Sequence, residues 1–230
     1  MRYQYWSLDD CHHANGVVVV IDVVRAFTCA AVVLAGGAQR DYLVSGVDEA
    51  LALRQRLPNA VVMGEIEGIK VPEFDFGNSP SQLSRINFQG KTVIQRTTSG
   101  TQGVVRSRQA EKIFAASFCV AGATARAIRA LKPAEVNFVS TGIRDDGRGD
   151  EDVALADYLA ALLSEKQPDP RPYLDRVKNS LVAGLFTNPE DPDFPPADIP
   201  LTMDLDRYDF AMPVTWEEGI AIIDIRSRQG

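Results

Sequence analysis

Hard oxygen ligands recur along this chain at Asp22, Glu65, Asp75 and the Glu151-Asp152 pair. None has a histidine or thiolate partner, and carboxylates alone suit magnesium better than zinc. Groups fit for an oxyanion lie between them. Thr97-Thr98-Ser99-Gly100-Thr101 is rich in hydroxyls and glycine. Ahead of a helix, such a loop offers backbone N–H groups and the positive helix end to a phosphate. Asn78 and Ser79 add an amide and a hydroxyl, and Arg25 adds a cation that can fork onto phosphate or carboxylate. A metal, an anion cradle and an arginine together make a phosphoryl-transfer set. Each part also has an ordinary use. Asp22, Glu151 and Asp152 suit helix starts, Asn78-Ser79-Pro80 suits a turn, and the threonine loop suits a cap.

What unites these residues is their place relative to the elements. Val17 to Ile21 is a β-branched run closed by Asp22, apolar on both faces, and so a central strand of a covered sheet. Residues 26–34 predict a helix stopped by Gly36-Gly37. Short strands follow at 41–44 and 60–63, the latter ending at Gly64-Glu65, with a helix at 48–57 between them. Residues 66–90 break the rhythm; a long irregular stretch in a compact domain is usually functional or disordered, and Phe74, Phe76 and Phe88 point to a packed one. Strands at 91–95, 112–115 and 135–139 alternate with helices at 101–108, 121–131 and 151–163. Residues 167–172 read as a linker or turn, 189–200, with five prolines, as an extended surface loop, and 208–213 with 220–225 as a closing β pair. The alternation implies an α/β fold in three layers, α/β/α, with a mainly parallel or mixed sheet. In such sheets, sites form outside the carboxyl ends of the strands, where the candidate groups fall.

Bulk properties narrow the partners. The chain has 230 residues, 45% hydrophobic and 24% charged, which suits one domain over 1–230, with substructure conceivable around 1–115 and 116–230. A net charge of −7 excludes a general nucleic-acid binder, which needs a basic face, yet allows a small anionic substrate held by local cations. Three widely spaced cysteines, Cys11, Cys29 and Cys119, imply neither a disulfide framework nor a metal pair. The first residues lack a signal-peptide core and the longest apolar run is too short to span a bilayer, so the expected location is cytoplasmic, off the membrane. His12 and His13 read as surface or turn residues, and Cys29 as a small core residue.

The blocks Val20-Ile21-Asp22-Val23-Val24-Arg25-Ala26, Gly64-Glu65, Phe74-Asp75-Phe76-Gly77-Asn78-Ser79-Pro80, Thr97-Thr98-Ser99-Gly100-Thr101, Ser117-Phe118 and Glu151-Asp152 resemble the 2-phosphosulfolactate phosphatase, or ComB, family. Asp206-Arg207-Tyr208 also resembles the family's pattern, and order and spacing hold over nearly the whole chain. The resemblance implies a magnesium-dependent phosphomonoesterase that converts 2-phospho-3-sulfolactate to 3-sulfolactate and phosphate in coenzyme M biosynthesis. Asp22, Glu65, Asp75 and Asp152 would then supply or orient magnesium ligands, with Asp22 open to a second role as nucleophile. Catalysis would fall to Asp22, Arg25, Glu65 and Glu151, and substrate binding to Arg25, Asn78, Ser79, Thr97, Thr98, Gly100 and Thr101. One departure concerns the substrate: where the family has Ser-Phe-x-Asn, this chain has Ser117-Phe118-Cys119-Val120. The 141–150 stretch is also unusually charged, with Arg144 and Arg148.

Two rival readings differ in class. A haloacid-dehalogenase-type phosphatase needs a second Asp two residues after the first, where this chain has Val24. A non-catalytic ligand-binding or assembly protein would keep the fold without turnover. A homodimer is one assembly such a fold allows.

Overall fold

The computed structural model describes residues 1–164 and 167–225. Chain order is β1 (Arg2–Ser7), β2 (Val17–Ile21), α1 (Ala26–Ala35), β3 (Arg40–Leu43), α2 (Val47–Arg56), β4 (Ala60–Ile66), β5 (Ile69–Lys70), α3 (Pro80–Leu83), β6 (Thr92–Arg96), α4 (Gly100–Arg106), β7 (Lys112–Ala116), α5 (Ala121–Leu131), β8 (Glu135–Ser140), α6 (Asp150–Leu163), α7 (Arg171–Lys178), α8 (Asp198–Thr202), β9 (Met212–Glu217) and β10 (Ile220–Ile223). The strands form one mixed, mostly parallel sheet in the order β1-β8-β2-β7-β9-β10-β3-β6-β4-β5, with helices on both faces in a three-layer α/β arrangement.

Two parallel groups make up this sheet. β1, β8, β2 and β7 run together on one side, and β3, β6 and β4 on the other. The β9–β10 hairpin joins them through three antiparallel pairings, so the two groups run in opposite directions. A right-handed twist of roughly 20–25° per strand turns the direction by about 100–125° over the five steps from β2 to β6. The carboxyl ends of β2, β4 and β6 can therefore converge although their strands oppose one another.

Helix α1 fills the space between the groups. Its residues Ala26 to Leu34 are all buried, as expected of a helix apolar all round. They share one core with Val18 and Val20 of β2 and with Leu43 and Val93 of β3 and β6. The other face of β2, with Val17, Val19 and Ile21, packs on residues of α5 and α6. Tyr42, Val62 and Ile94 pack on Ala50 and Leu53 of α2. Every residue of β2 is buried, and each such side chain is worth roughly 1.5–3 kcal/mol by transfer from water.

The sequence expectations need four corrections. β1 was not anticipated: this strand is mostly half-buried or exposed and mixes polar with aromatic residues, so it lacks an apolar run. β4 continues past Gly64-Glu65 to Ile66 and turns back through β5. Residues 167–172 are not wholly linker, because Arg171 opens α7. The C-terminal β pair forms, but its first strand is Met212–Glu217 rather than 208–213, and the pair lies mid-sheet. Among the described residues no helix is long and apolar enough to cross a membrane.

Candidate functional site

Asp22 follows β2 directly, and its Oδ1 accepts the Ala26 N–H at 2.9 Å. Asp22 thus caps α1, while the Gly100 amide and, at 3.4 Å from Oδ2, the Thr141 hydroxyl also face its carboxylate. Gly100, at the start of α4, lies against it, and a Cβ added there would sit 2.8 Å from Asp22 Oδ2. Only glycine allows this approach between the two groups of strands.

Glu151 and Asp152 come to the same place from the first turn of α6, where acidic residues favour the helix dipole. Asp152 is fixed by the Val23 N–H at 2.8 Å and the Gly142 N–H at 2.7 Å, one to each carboxylate oxygen. Glu151 is buried, yet its Oε2 has no partner. Burial raises the carboxyls of all three, and neighbouring carboxylates reinforce the effect, Glu65 on Asp22 and Asp22 on Glu151. Asp22 is pushed up to about 6 and Glu151 to about 7. Asp152 is driven well above the ordinary carboxylate range by burial, then by Glu151 and Asp22. Such a group favours either bound protons or a bound cation.

These three residues line an open pocket with Arg25, Glu65, Asn78, Thr98, Ser99 and Arg144 on its walls. Glu65 is pinned by the Thr98 N–H at 2.6 Å, the Thr98 hydroxyl at 3.0 Å and the Gly68 N–H at 2.5 Å. Asn78 is buried with its Oδ1 unpartnered. Buried polar atoms are nearly always paired, so two orphan oxygens in one pocket, on Asn78 and Glu151, mark places for a ligand.

Four expected site residues serve the frame instead. Asp75 stands apart, accepting the Val62 N–H at 2.8 Å and an Arg54 N–H at 3.0 Å, and it lines a different cavity beside Lys70. Thr97 and Thr101 are buried and bonded to each other, with the Thr97 N–H given to Thr101 Oγ1 at 2.9 Å and the Thr101 N–H to Thr97 Oγ1 at 3.1 Å. The loop's amides are thereby largely consumed, and Thr98 and Ser99 are its members on the pocket wall. Ser79 gives its hydroxyl to Asp198 at 2.7 Å.

Arg25 lines the wall, but its guanidinium is committed. It pairs with the fully buried Asp198 at 2.8 Å and gives hydrogen bonds to the Asp193 carbonyl at 2.5 Å and the Gly68 carbonyl at 3.3 Å. Phe186 and Phe194 lie 4.9 and 5.3 Å from it across their ring faces, a cation–π arrangement. The Val24–Arg25 peptide is cis. The proline-rich stretch does run over the surface, and it also covers the site: Phe194 lines the pocket and Asp198, which opens α8, is buried. Its prolines announce irregular backbone but say nothing about depth.

Several residues of interest lie elsewhere. Val120 is buried in the central core and is not on the pocket wall, so the departure from the family pattern does not alter the cavity surface. Burial pushes the Cys119 thiol up to about 12 and Cys29 well above its ordinary value, which suits neither as a nucleophile. His12 and His13 are exposed in a short turn. Arg144 and Arg148, both pocket-lining, were visible in the sequence only as excess charge.

Among the described residues, no three acidic, histidine or cysteine side chains group to hold a metal ion unaided. Magnesium does not demand such a group, since one or two carboxylates, water and substrate phosphate often complete its shell. Asp22 and Asp152 fit that pattern, because a cation would relieve the charge they impose on one another.

A family model described as 2-phosphosulpholactate phosphatase matches residues 6–179. The chain is 32% identical over 219 residues to "Probable 2-phosphosulfolactate phosphatase" of Bacillus subtilis (strain 168), covering 93% of this chain and 94% of that protein. It is 39% identical over 150 residues to a protein of the same name from Carboxydothermus hydrogenoformans, covering 65% and 61%. A Deinococcus radiodurans protein so named is 38% identical over 168 residues, covering 70% and 69%.

Proposed function

The chain belongs to the 2-phosphosulpholactate phosphatase family, phosphoric monoester hydrolases by name, and from that premise we propose that it hydrolyses 2-phospho-3-sulfolactate or a related small acidic phosphoester, with magnesium as cofactor. The observation that carries the reading is the orphan oxygen of Glu151 beside Asp22 and Asp152, three mutually repelling carboxyls on the floor of one pocket.

Asp22 and Asp152 would hold the magnesium ion. Bound there, magnesium supplies charge neutralisation for the phosphoryl oxygens. Asp22 meets this task with Oδ1 fixed by the α1 amide and Oδ2 facing the pocket. Asp152, with one N–H on each oxygen, keeps a lone pair on each for a cation. Glu65 holds the Thr98 loop against the wall.

Glu151 has a different part. In phosphomonoester hydrolysis, water adds to phosphorus and the P–O bond to the alcohol breaks, with charge gathering on the leaving oxygen. A secondary alcohol leaves poorly unless that oxygen receives a proton. Glu151, raised to about 7, holds a proton near neutrality, and its unpartnered Oε2 is the atom to deliver it.

A phosphate-release screen tests the reading, with phosphosulfolactate, phospholactate, phosphoglycerate and sugar phosphates offered with magnesium and with EDTA. Magnesium-dependent release, strongest from phosphosulfolactate or phospholactate, is expected. Activity on other esters with none on phosphosulfolactate would remove that substrate, and silence on the whole panel would remove the phosphatase reading.

A further inference from the structure

The pocket holds three arginines with different commitments. Arg25 is neutralised by Asp198, and Arg148 by Asp146 at 2.8 Å. Arg144 forms no ion pair among the described residues, although it lines the same pocket as Asp22, Glu151 and Asp152. It is nevertheless held in place. One terminal nitrogen donates to the Thr141 and Ile143 carbonyls at 2.8 and 2.9 Å, and the other to Ser99 Oγ at 2.7 Å. An arginine has five N–H donors, so these three bonds leave two, the number that a pair of carboxylate or sulfonate oxygens takes in a fork.

The anchors tie Arg144 to the reaction centre. Thr141 also contacts Asp22 Oδ2, and Ser99 precedes Gly100, which packs on the same atom. Depth separates the two positions: Asp22, Glu151 and Asp152 are buried on the floor, whereas Arg144 is half-buried on the wall. A phosphoryl group on the floor would leave the rest of a small substrate beside Arg144.

We propose that Arg144 is the specificity-determining residue of this pocket, holding the acidic group that the substrate carries beyond its phosphoester, a carboxylate or sulfonate. This rests on the phosphomonoesterase reading. The enzyme accordingly favours phosphoesters of hydroxy acids over phosphoesters with no second acid. Ser99 is a positioning residue, since it acts by aiming the guanidinium.

The test compares the full-length wild type with Arg144→Met and Arg144→Lys on two substrates, 2-phospho-3-sulfolactate and p-nitrophenyl phosphate, which has no second acid. Loss of a charge-assisted fork should raise KM for the first by about 10- to 100-fold, with kcat and the second substrate little changed. Lysine, a point charge without the fork, should recover only part. Calorimetric binding of 3-sulfolactate, the alcohol product, gives a readout independent of turnover and should weaken by a similar factor in Arg144→Met. Equal losses on both substrates would place Arg144 at the phosphoryl group and overturn the proposal, as would unchanged KM and product binding. Failure of the phosphatase reading looks different: the wild type itself would release no phosphate from either ester.

Discussion

At the residue scale, Asp22 is both a helix cap and a site group. Its two oxygens divide these roles, Oδ1 to the Ala26 amide and Oδ2 to the pocket. The raised carboxyls set a pH window. Asp22 must be ionised to hold a cation, so magnesium affinity should fall as pH drops through about 6. Glu151 must be protonated to serve the leaving oxygen, so kcat should fall as pH rises through about 7. Glu151→Gln should flatten that alkaline limb and slow hydrolysis of an alkyl phosphoester by about 10²- to 10⁴-fold, while sparing p-nitrophenyl phosphate, whose leaving group needs no proton. A pH–rate profile on both esters checks this, and an unchanged alkaline limb would remove Glu151 from the proton transfer. Stability of the metal-free protein follows the same ionisations. A carboxyl raised above its unfolded value stabilises fully at low pH and loses that contribution as pH rises through its folded value. In EDTA, the protein should therefore lose on the order of a few kcal/mol between about pH 4 and 7. Asp22→Asn should reduce that loss, as read by denaturant titration.

Much of the site was legible at this scale because chemistry follows residue type. Asp22, Glu65, Asn78, Thr98, Glu151 and Asp152 do meet in one pocket. Arg25 and Ser79 carry equally suggestive types yet are spent on Asp198. That commitment depends on a residue more than a hundred positions away, which no local pattern reports. Asp75 is spent nearby on Arg54 and Val62.

At the element scale, the segment from Phe186 to Asp198 is the least legible part of the fold and one of the most consequential. Local signals read its prolines correctly as irregular backbone. Asp198 is buried within it by long-range contacts, chief among them the latch of Arg25 on Asp198 between two phenylalanine rings, with Ser79 and Ser81 bonded to the same carboxylate. Arg25→Met should leave Asp198 charged, buried and unpaired, at a cost of about 3–5 kcal/mol. Thermal unfolding should show the lowered stability, and limited proteolysis should cut first within 187–197. Wild-type stability and protection in this variant would contradict the latch. By contrast, α1 and β2 were readable in full, because an uninterrupted apolar run leaves few other places to go.

At the scale of the whole molecule, the β9–β10 hairpin joins two oppositely directed groups of strands, and α1 lies in the core they share. The alternation of strands and helices predicted the mixed sheet and the layers, but not that the last hairpin would enter its middle, since strand order is set by tertiary pairing. Such a join predicts that the chain unfolds as one cooperative unit. Trp6 in β1 reports from one group of strands and Trp216 in β9 from the join itself. Fluorescence from single-tryptophan variants and far-UV circular dichroism should give coincident unfolding transitions, and two separated transitions would instead indicate halves that fold alone.

The convergence of strand ends at one magnesium-binding floor is the central claim, and Asp22 is where it meets chemistry. The direct test is phosphate release from 2-phospho-3-sulfolactate by EDTA-treated wild type and Asp22→Asn across a magnesium titration. The account predicts that magnesium restores the wild type, while the variant stays slower by at least about 10²-fold at the same magnesium. Full, EDTA-resistant release by the variant would contradict it.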